Sequence, residues 1–557
     1  MQSKHYGVWP KNLPYSLPAS PDSVYKNLVN SAKNCPSTVA IKFYGKDLTF
    51  SDIYKEAQLI AGYLFQIASI KENDRVALYM QNSPQFVIAY YAILAANAVI
   101  VPINPMCKST ELAHIVNDSQ SKAIIFGDEL YNEIINANLK IGEGQLLAAT
   151  YYDYTGKCPD IEIPASLTTK RPTPTCSSWR NALELNLSAP DHNRTPDDWC
   201  IIPYSSGTTG QPKGCLHTHR SVNATIFAYP RWVGVKNGSQ VLATLPLCHV
   251  TGMQHSMNLP ILTASTIHLM TRWNAQAAAE IIENEKIQHW RSITTTMIDF
   301  LSLKNIEKYD LSSLEAIGGG GAQMPQSVAE RMEKLIGLDY IEAYGLTETM
   351  APIHINPVNS PRRQCLGIPI FDVDTRIIEP QSCHELGPNE IGEIVTSAPQ
   401  VFAGYWQNEE ATNNAFVSIN EKDFFRTGDI GYYDDDGYFY FVDRLKRMIN
   451  VSGLKVWPAE VEAILHSHPA ISEACVVGDP DPRTGERVRA VVVLVDPLEV
   501  LTEGSFIDWC GKNMMMSVFD RIDTCPPLRL LSSKWDIAAL HQGHKTLFHA
   551  AKKPQKL

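Results

Sequence analysis

The chain has 557 residues, 44% of them hydrophobic and 19% charged, a balance that supports a sizeable core and excludes a disordered or collagen-like polymer. At ~150 residues per domain this length corresponds to about three to four domains, or fewer large ones. Lysine and arginine number 48 against 59 acids, a net charge of −11, which excludes a broad nucleic-acid or anionic-membrane surface but leaves room for a local basic pocket.

In chain order, the opening residues MQSKHYGVWPKNLPYSLPASP contain no apolar h-region, so no signal peptide is expected. Residues 48–66 carry helical spacing, with Ser51 as the N-cap. RVALYM (75–80) reads as a strand. The most apolar run, Phe86 to Val101, is shorter than the ~20 residues of a membrane span, is interrupted by Asn97 and is closed by Pro102. It reads as a buried helix running into a buried strand, and no transmembrane segment is expected. TELAHIVNDSQ gives a helix and KAIIFG a strand. Strands separated by helices imply right-handed crossovers and a largely parallel sheet. Residues 141–195 are poorer in periodicity and hold Pro, Ser and Thr clusters, so a loop-rich stretch is expected there. The strand–helix rhythm returns over 200–345.

After about residue 380 the pattern changes. IGEIVTSA, GDIGYYDDDGYFYFVDR and RVRAVVVLVD alternate at period two, as antiparallel strands do, and DDDG (434–437) is a hairpin turn signal. PAEVEAILHSHPAISEACVVGD reads as helix then strand. The expectation is an α/β chain: a large N-terminal domain over 1–442 with mostly parallel sheets flanked by helices, and a smaller α+β domain over 443–557. The 12 cysteines form no CxxC pair, which suits reduced thiols, a cytoplasmic setting and no zinc site.

Residues 201–214, IIPYSSGTTGQPKG, carry the strongest chemical signal. An apolar lead-in meets Ser205, Ser206, Gly207, Thr208, Thr209, Gly210 and Lys213. Small residues let backbone N–H groups approach an anion, and the hydroxyls and lysine add donors. The nucleoside-triphosphatase pattern GxxxxGK[ST] is absent. Such residues also form ordinary surface turns; the order of the string is what makes it specific.

The string resembles the signature of the adenylate-forming superfamily, which includes acyl-CoA synthetases, aryl-CoA ligases, firefly-type luciferases and adenylation domains. LPLCHVTGM (245–253), GGGGAQMP (318–325), EAYGLTET (342–349) and RTGDIGYYDDDGYFYFVDRLKRMINVSGLKVWPAEVE (426–462) resemble further family motifs in the same order. The resemblance spans about residues 20–515 and is nearest to bacterial fatty-acid–CoA ligases. It implies a large domain followed by a mobile small one. It also implies an activity: a small-molecule carboxylic acid, ATP and coenzyme A give acyl-CoA, AMP and diphosphate through an acyl-adenylate, with Mg²⁺ as cofactor. Adenylation replaces the poor leaving oxygen of a carboxylate, so positioned donors and a metal ion are what the first step needs.

By the same resemblance, Thr208, Thr209 and Lys213 hold the β- and γ-phosphates, Thr347 contacts the α-phosphate and Glu348 takes magnesium. Asp429 holds the two ribose hydroxyls, and Arg444 contacts ribose or phosphate. Tyr344 stacks on adenine, a core tyrosine being the alternative, and Gly319, Gly320 and Gly321 leave room for the flat base. His249 positions the substrate. Lys446 is the hinge, and Gly453 flanks a tunnel for the pantetheine arm. His217 and His219, spaced HxH, are expected to bind no metal. Met253 and Met257 are expected to contribute an apolar acyl pocket. The family's terminal catalytic lysine corresponds to Lys534, but its flanks depart from the family pattern from about residue 516. Alternatives to a fatty-acid ligase are a ligase for a short, methylthio or aryl acid, or a pseudo-enzyme that keeps nucleotide binding with impaired adenylation.

Overall fold

The computed structural model describes residues 4–156, 163–169, 171, 174–205, 211–451, 454–481, 485–495, 506, 509–510 and 519–525. Among them are four sheets. The first, nine-stranded, runs from edge to edge through Ile368–Pro369, His354–Ile355, Tyr340–Tyr344, Ala316–Gly319, His289–Arg291, Gln240–Ala243, Thr266–Leu269, Val39–Phe43 and Lys46–Thr49. Its interior pairs are parallel, and only the edge pairs are antiparallel. The second sheet is parallel through Trp199–Ile201, Val99–Ile103, Arg75–Tyr79, Ser121–Gly127, Leu146–Ala149 and Ser177–Ser178. Lys213–Thr218 and Gly404–Tyr405 close it with antiparallel pairs.

Helix Pro84–Ala95 explains its own lack of amphipathicity: every one of its residues is buried. It fills the space between the two sheets, in a core that joins Ile41, Ile267 and Leu269 of the first to Val76, Leu78 and Ile125 of the second. Each such side chain contributes about 1.5–3 kcal/mol by leaving water. Ser83 caps the helix by accepting from Phe86 N, and Pro84 starts it. The chain then enters the buried strand Val99–Ile103, as the apolar run predicts.

One local expectation is corrected. The cap of helix Phe50–Gln66 is Thr49, not Ser51. Thr49 Oγ1 accepts from Asp52 N at 3.2 Å while Asp52 Oδ2 accepts from Thr49 N at 2.9 Å, a reciprocal pair that Ser51, lying in the first turn, cannot make. The described residues within 141–195 are loop-rich, as expected, and hold short elements as well. They supply Leu146–Ala149 and Ser177–Ser178 to the second sheet, followed by helix Trp179–Glu184. Strands of four and two residues are too short to show a period.

The third sheet is antiparallel throughout: Asp374–Ile378, Gly392–Ser397, Lys422–Tyr433 and Phe416–Ile419, with Phe439–Arg444 paired along residues 429–433 of Lys422–Tyr433. DDDG forms the expected hairpin turn. Asp434 Oδ1 accepts from Asp436 N and Tyr438 N, and Gly437 takes a φ of +87°. The fourth sheet holds Leu454–Val456, Ile449–Val451, Gly485–Leu494, Ile471–Asp481 and, parallel to Gly485–Leu494, Phe519–Cys525. With helix Pro458–Leu465 it encloses a separate small core that includes Val461, Leu465, Val476 and Val492. Asp443 joins the two regions. Its Oδ1 accepts from Arg444 N and its Oδ2 from Ala459 N, both at 2.7 Å. No described helix is long and apolar enough to cross a membrane.

Candidate active site

Of the glycine-rich loop, Ser205 and Lys213 are described; Ser206, Gly207, Thr208, Thr209 and Gly210 lie outside the described residues, as do Gly453 and Lys534. Ser205 and Lys213 are cross-strand partners in an antiparallel pair of Tyr204–Ser205 with Lys213–Gly214. The chain therefore leaves the loop into a strand, unlike a loop that opens a helix. The exposed Lys213 ammonium lies 4.9 Å from the centroid of the Tyr405 ring. Tyr405 comes from the strand Gly404–Tyr405, which pairs with Cys215–Leu216. Its hydroxyl donates to Glu348 Oε1 at 3.0 Å.

Glu348 is 9% exposed and sits in the short 3₁₀ turn Thr347–Thr349. Two backbone bonds fix that turn. Phe402 N donates to the Glu348 carbonyl at 2.8 Å, and His217 Nε2 lies 2.9 Å from the Thr347 carbonyl. A carbonyl only accepts, so Nε2 carries the proton. Burial lowers His217 to about 4, keeping it neutral. His219 faces elsewhere, its Nδ1 accepting from Val24 N at 3.2 Å. Each histidine of the HxH pair thus has a structural partner.

Asp429 is fully buried in the strand Lys422–Tyr433 of the third sheet. Tyr344 donates its hydroxyl to Asp429 Oδ2 at 2.6 Å. Arg444, the cross-strand neighbour of Asp429, places Nε 2.5 Å from Oδ1, an ion pair whose N–H is not aimed along a good hydrogen bond. Burial pushes the Asp429 carboxyl up to about 6, against the opposing pull of Arg444 and Tyr344. Lys446 follows in the exposed turn Leu445–Arg447.

A cavity lies where strands of the first sheet end, lined by Gly319, Gly320, Gly321, Tyr344 and Gly345 on one side. The glycines do more than leave room for a ligand. A Cβ on Gly319 would lie 1.8 Å from the Ser292 carbonyl oxygen, and one on Gly320 2.2 Å from that of Ala343. Neighbouring backbone demands them. The opposite wall does not include the two methionines. Met253 and Met257 are fully buried in the core between the sheets, and the same segment turns Thr251 and His255 to the cavity. His249 is exposed at the start of that segment, its Nε2 3.4 Å from Asn104 Nδ2, and does not line the cavity. Tyr405, Tyr229, His255 and Arg291 are site residues that the sequence reading missed. None lies in one of the family motifs; His255 comes two residues after LPLCHVTGM.

The AMP-binding enzyme family model matches residues 28–406, and the model of the AMP-binding enzyme C-terminal domain matches 460–526. The second match takes in SVFDRIDT, inside the stretch expected to depart from the family pattern from about residue 516, and corrects that expectation as far as residue 526; its last six residues belong to the strand Phe519–Cys525. The long-chain-fatty-acid–CoA ligase of Bacillus subtilis (strain 168) is 32% identical over 515 residues, covering 89% of this chain and 90% of that protein. The ligase of the same name from Escherichia coli O157:H7 is 30% identical over 528 residues, covering 91% and 92%. In fold, the chain is similar to an anthranilate CoA ligase solved with anthranoyl-AMP (TM-score 0.79, 22% identity, 97% of this chain and 99% of that one). It is also similar to ATP-bound MatB from Rhodopseudomonas palustris (TM-score 0.81, 21% identity, 95% and 100%). The chain belongs to the AMP-binding enzyme family, the adenylate-forming superfamily. Within it, the chain is an AMP-forming acid–CoA ligase.

Proposed function

We propose that the protein is a fatty-acid–CoA ligase, joining a chain-bearing acid to coenzyme A at the expense of ATP through an acyl-adenylate. The observation that carries this reading is the pairing of two prepared carboxylates. Buried Asp429 holds Tyr344, a residue of the cavity lining, on one oxygen, and Glu348 is held beside the phosphate-loop lysine through Tyr405. The 30–32% identity to long-chain-fatty-acid–CoA ligases supports the acyl class.

Asp429 accepts both ribose hydroxyls, and Arg444, already beside it, reaches ribose or phosphate. Tyr344 and Gly319 to Gly321 receive the adenine. Lys213, with Thr208 and Thr209, holds the β- and γ-phosphates, Ser205, Ser206, Gly207 and Gly210 shape that loop, and Thr347 meets the α-phosphate. Glu348 fits a magnesium ion: it is a nearly buried carboxylate with a hydroxyl donor on one oxygen and, among the described residues, no cation in an ion pair. Mg²⁺ characteristically takes one or two carboxylates plus substrate phosphates, and when bound it offsets charge on those phosphates. His249 positions the substrate. Lys446 is the pivot of a boundary between 1–442 and 443–557, after which Gly453 flanks the path of the coenzyme A thiol. Lys534 serves adenylation alone.

The test is AMP release over a panel of acids with ATP, Mg²⁺ and coenzyme A. Among unbranched monoacids, kcat/KM should climb severalfold per added carbon until the pocket fills, since each buried CH₂ contributes about 0.8 kcal/mol. Benzoate-type acids preferred over octanoate would overturn the fatty-acid reading. Nucleotide binding with no AMP release would make the chain a pseudo-enzyme.

A further inference from the structure

The cavity at the strand ends is not a hydrocarbon slot. Arg291, the last residue of His289–Arg291, is 4% exposed and lines it together with Tyr229 and His255. The guanidinium lies 4.7 Å from the centroid of the Tyr229 ring, and that ring lies 4.1 Å from the ring of His255. Arg291 Nη2, Tyr229 Oη and His255 Nδ1 are all buried without a hydrogen-bond partner. Among the described residues no carboxylate forms an ion pair with Arg291. Glu342, the acid on a nearby strand, is turned instead to the backbone N–H groups of Met324 and Cys365, at 3.0 and 3.4 Å.

The sequence makes space for this charge. Gly318 is the cross-strand partner of Arg291, and a Cβ there would lie 2.6 Å from Arg291 Nη1. The guanidinium folds across the neighbouring strand because that strand has no side chain at the crossing. A buried guanidinium without a counter-charge is strongly unfavourable, and two further orphaned polar atoms beside it compound the cost. The chain keeps all three around a single cavity.

We propose that this cavity reads a second, anionic oxygen group on the acid substrate: one carboxylate of a dicarboxylic acid goes to ATP, and the other to Arg291, Tyr229 and His255. The inference deepens the ligase reading above and rests on it. A guanidinium matches a carboxylate in shape as well as charge, and Tyr229 Oη and His255 Nδ1 can each donate to its remaining lone pairs. Burial, reinforced by the neighbouring Arg291 charge, lowers His255 to about 3, so it meets the anion as a neutral donor. A neutral hydroxyl or ester would satisfy the donors but leave the guanidinium charge unpaired. The cavity measures about 40 Å³, room for one small polar group or a water or two, and not for a run of methylenes.

The experiment compares succinate, adipate, suberate and sebacate with the monoacids of matched length and with monomethyl suberate, reading AMP release and the thioester by mass spectrometry. Arg291→Met, which keeps length and apolar volume, and Tyr229→Phe, which removes only an orphaned hydroxyl, are run alongside. The expected result is a best diacid about ten- to a hundredfold above its monoacid in kcat/KM. Arg291→Met should erase or invert that ratio, and Tyr229→Phe should lower it severalfold. A wild-type preference for monoacids, or a ratio unmoved by both variants, overturns the proposal and leaves the three groups to water. Equal use of suberate and its monomethyl ester also overturns it, in favour of a neutral acceptor. If no acid on the panel yields AMP, the ligase reading fails separately. Calorimetric binding of suberate against octanoate, with α,β-methylene-ATP present, then still decides whether the cavity selects the second charge.

Discussion

Tyr405 joins Glu348 to Lys213: its hydroxyl donates to the carboxylate at 3.0 Å while its ring lies 4.9 Å from the lysine ammonium. One side chain from a two-residue strand thus bridges the Lys213 ammonium and the Glu348 carboxylate.

Removing that hydroxyl should loosen the carboxylate without unfolding the chain. Tyr405→Phe is expected to raise the Mg²⁺ concentration for half-maximal, acid-dependent ATP–pyrophosphate exchange by about tenfold, the worth of a hydrogen bond to a charged group. Glu348→Ala should nearly abolish exchange at saturating Mg²⁺. Exchange within a few-fold of the parent in Glu348→Ala would remove the metal role from this residue.

Asp429 should make nucleotide binding pH-dependent. Its folded pKa, about 6, lies above the ordinary 3.8, so its ionisation opposes folding. The stability it contributes is complete below about pH 4 and is lost as pH rises through 6. Ribose hydroxyls donate to the carboxylate, so binding requires the ionised form. Affinity for ATP should therefore fall as pH drops below 6, and binding near pH 6 should release a proton. Calorimetry in buffers of different ionisation enthalpy measures that release, and Asp429→Asn should abolish it.

Lys446→Pro should separate the half-reactions. Proline fixes φ at the proposed pivot and restricts Leu445 before it. Acyl-adenylate should accumulate with little thioester in a quenched single-turnover assay. A proportional fall in both steps would place the pivot elsewhere.

Gly319→Ala should damage the fold more than the chemistry. The new methyl would sit on the Ser292 carbonyl oxygen, and relief requires the two strands to part. Loss of about 3 kcal/mol is expected in urea unfolding. An unchanged unfolding midpoint would contradict the packing described here.

The residues around Lys534 should slow the first step selectively. Adenylation from ATP and free acid should be slow, while synthetic acyl-AMP and coenzyme A give near-normal thioester. Ordinary pyrophosphate exchange that survives Lys534→Ala would refute this.

The large elements were legible because their periods are long. Phe86 to Val101 announces a buried helix and strand, and DDDG announces its hairpin. The short strands Leu146–Ala149 and Ser177–Ser178 were not, since two to four residues carry no period. In the site, Asp429, Tyr344 and Glu348 came from ordered motifs. Tyr405 did not, because its meaning arises only when a distant strand pairs with Cys215 and Leu216. Arg291 was equally silent: in the sequence it is an ordinary strand residue, and its significance depends on the empty side of Gly318 one strand away.

The Asp443 carboxylate accepts from Ala459 N across the segment that contains Lys446. If the small region turns about Lys446, that bond is made and broken once in every catalytic cycle. A net ~1 kcal/mol contact changes a rate by about fivefold. Turnover speed in this chain would then have a handle of a single oxygen atom, through which drift or design could tune flux.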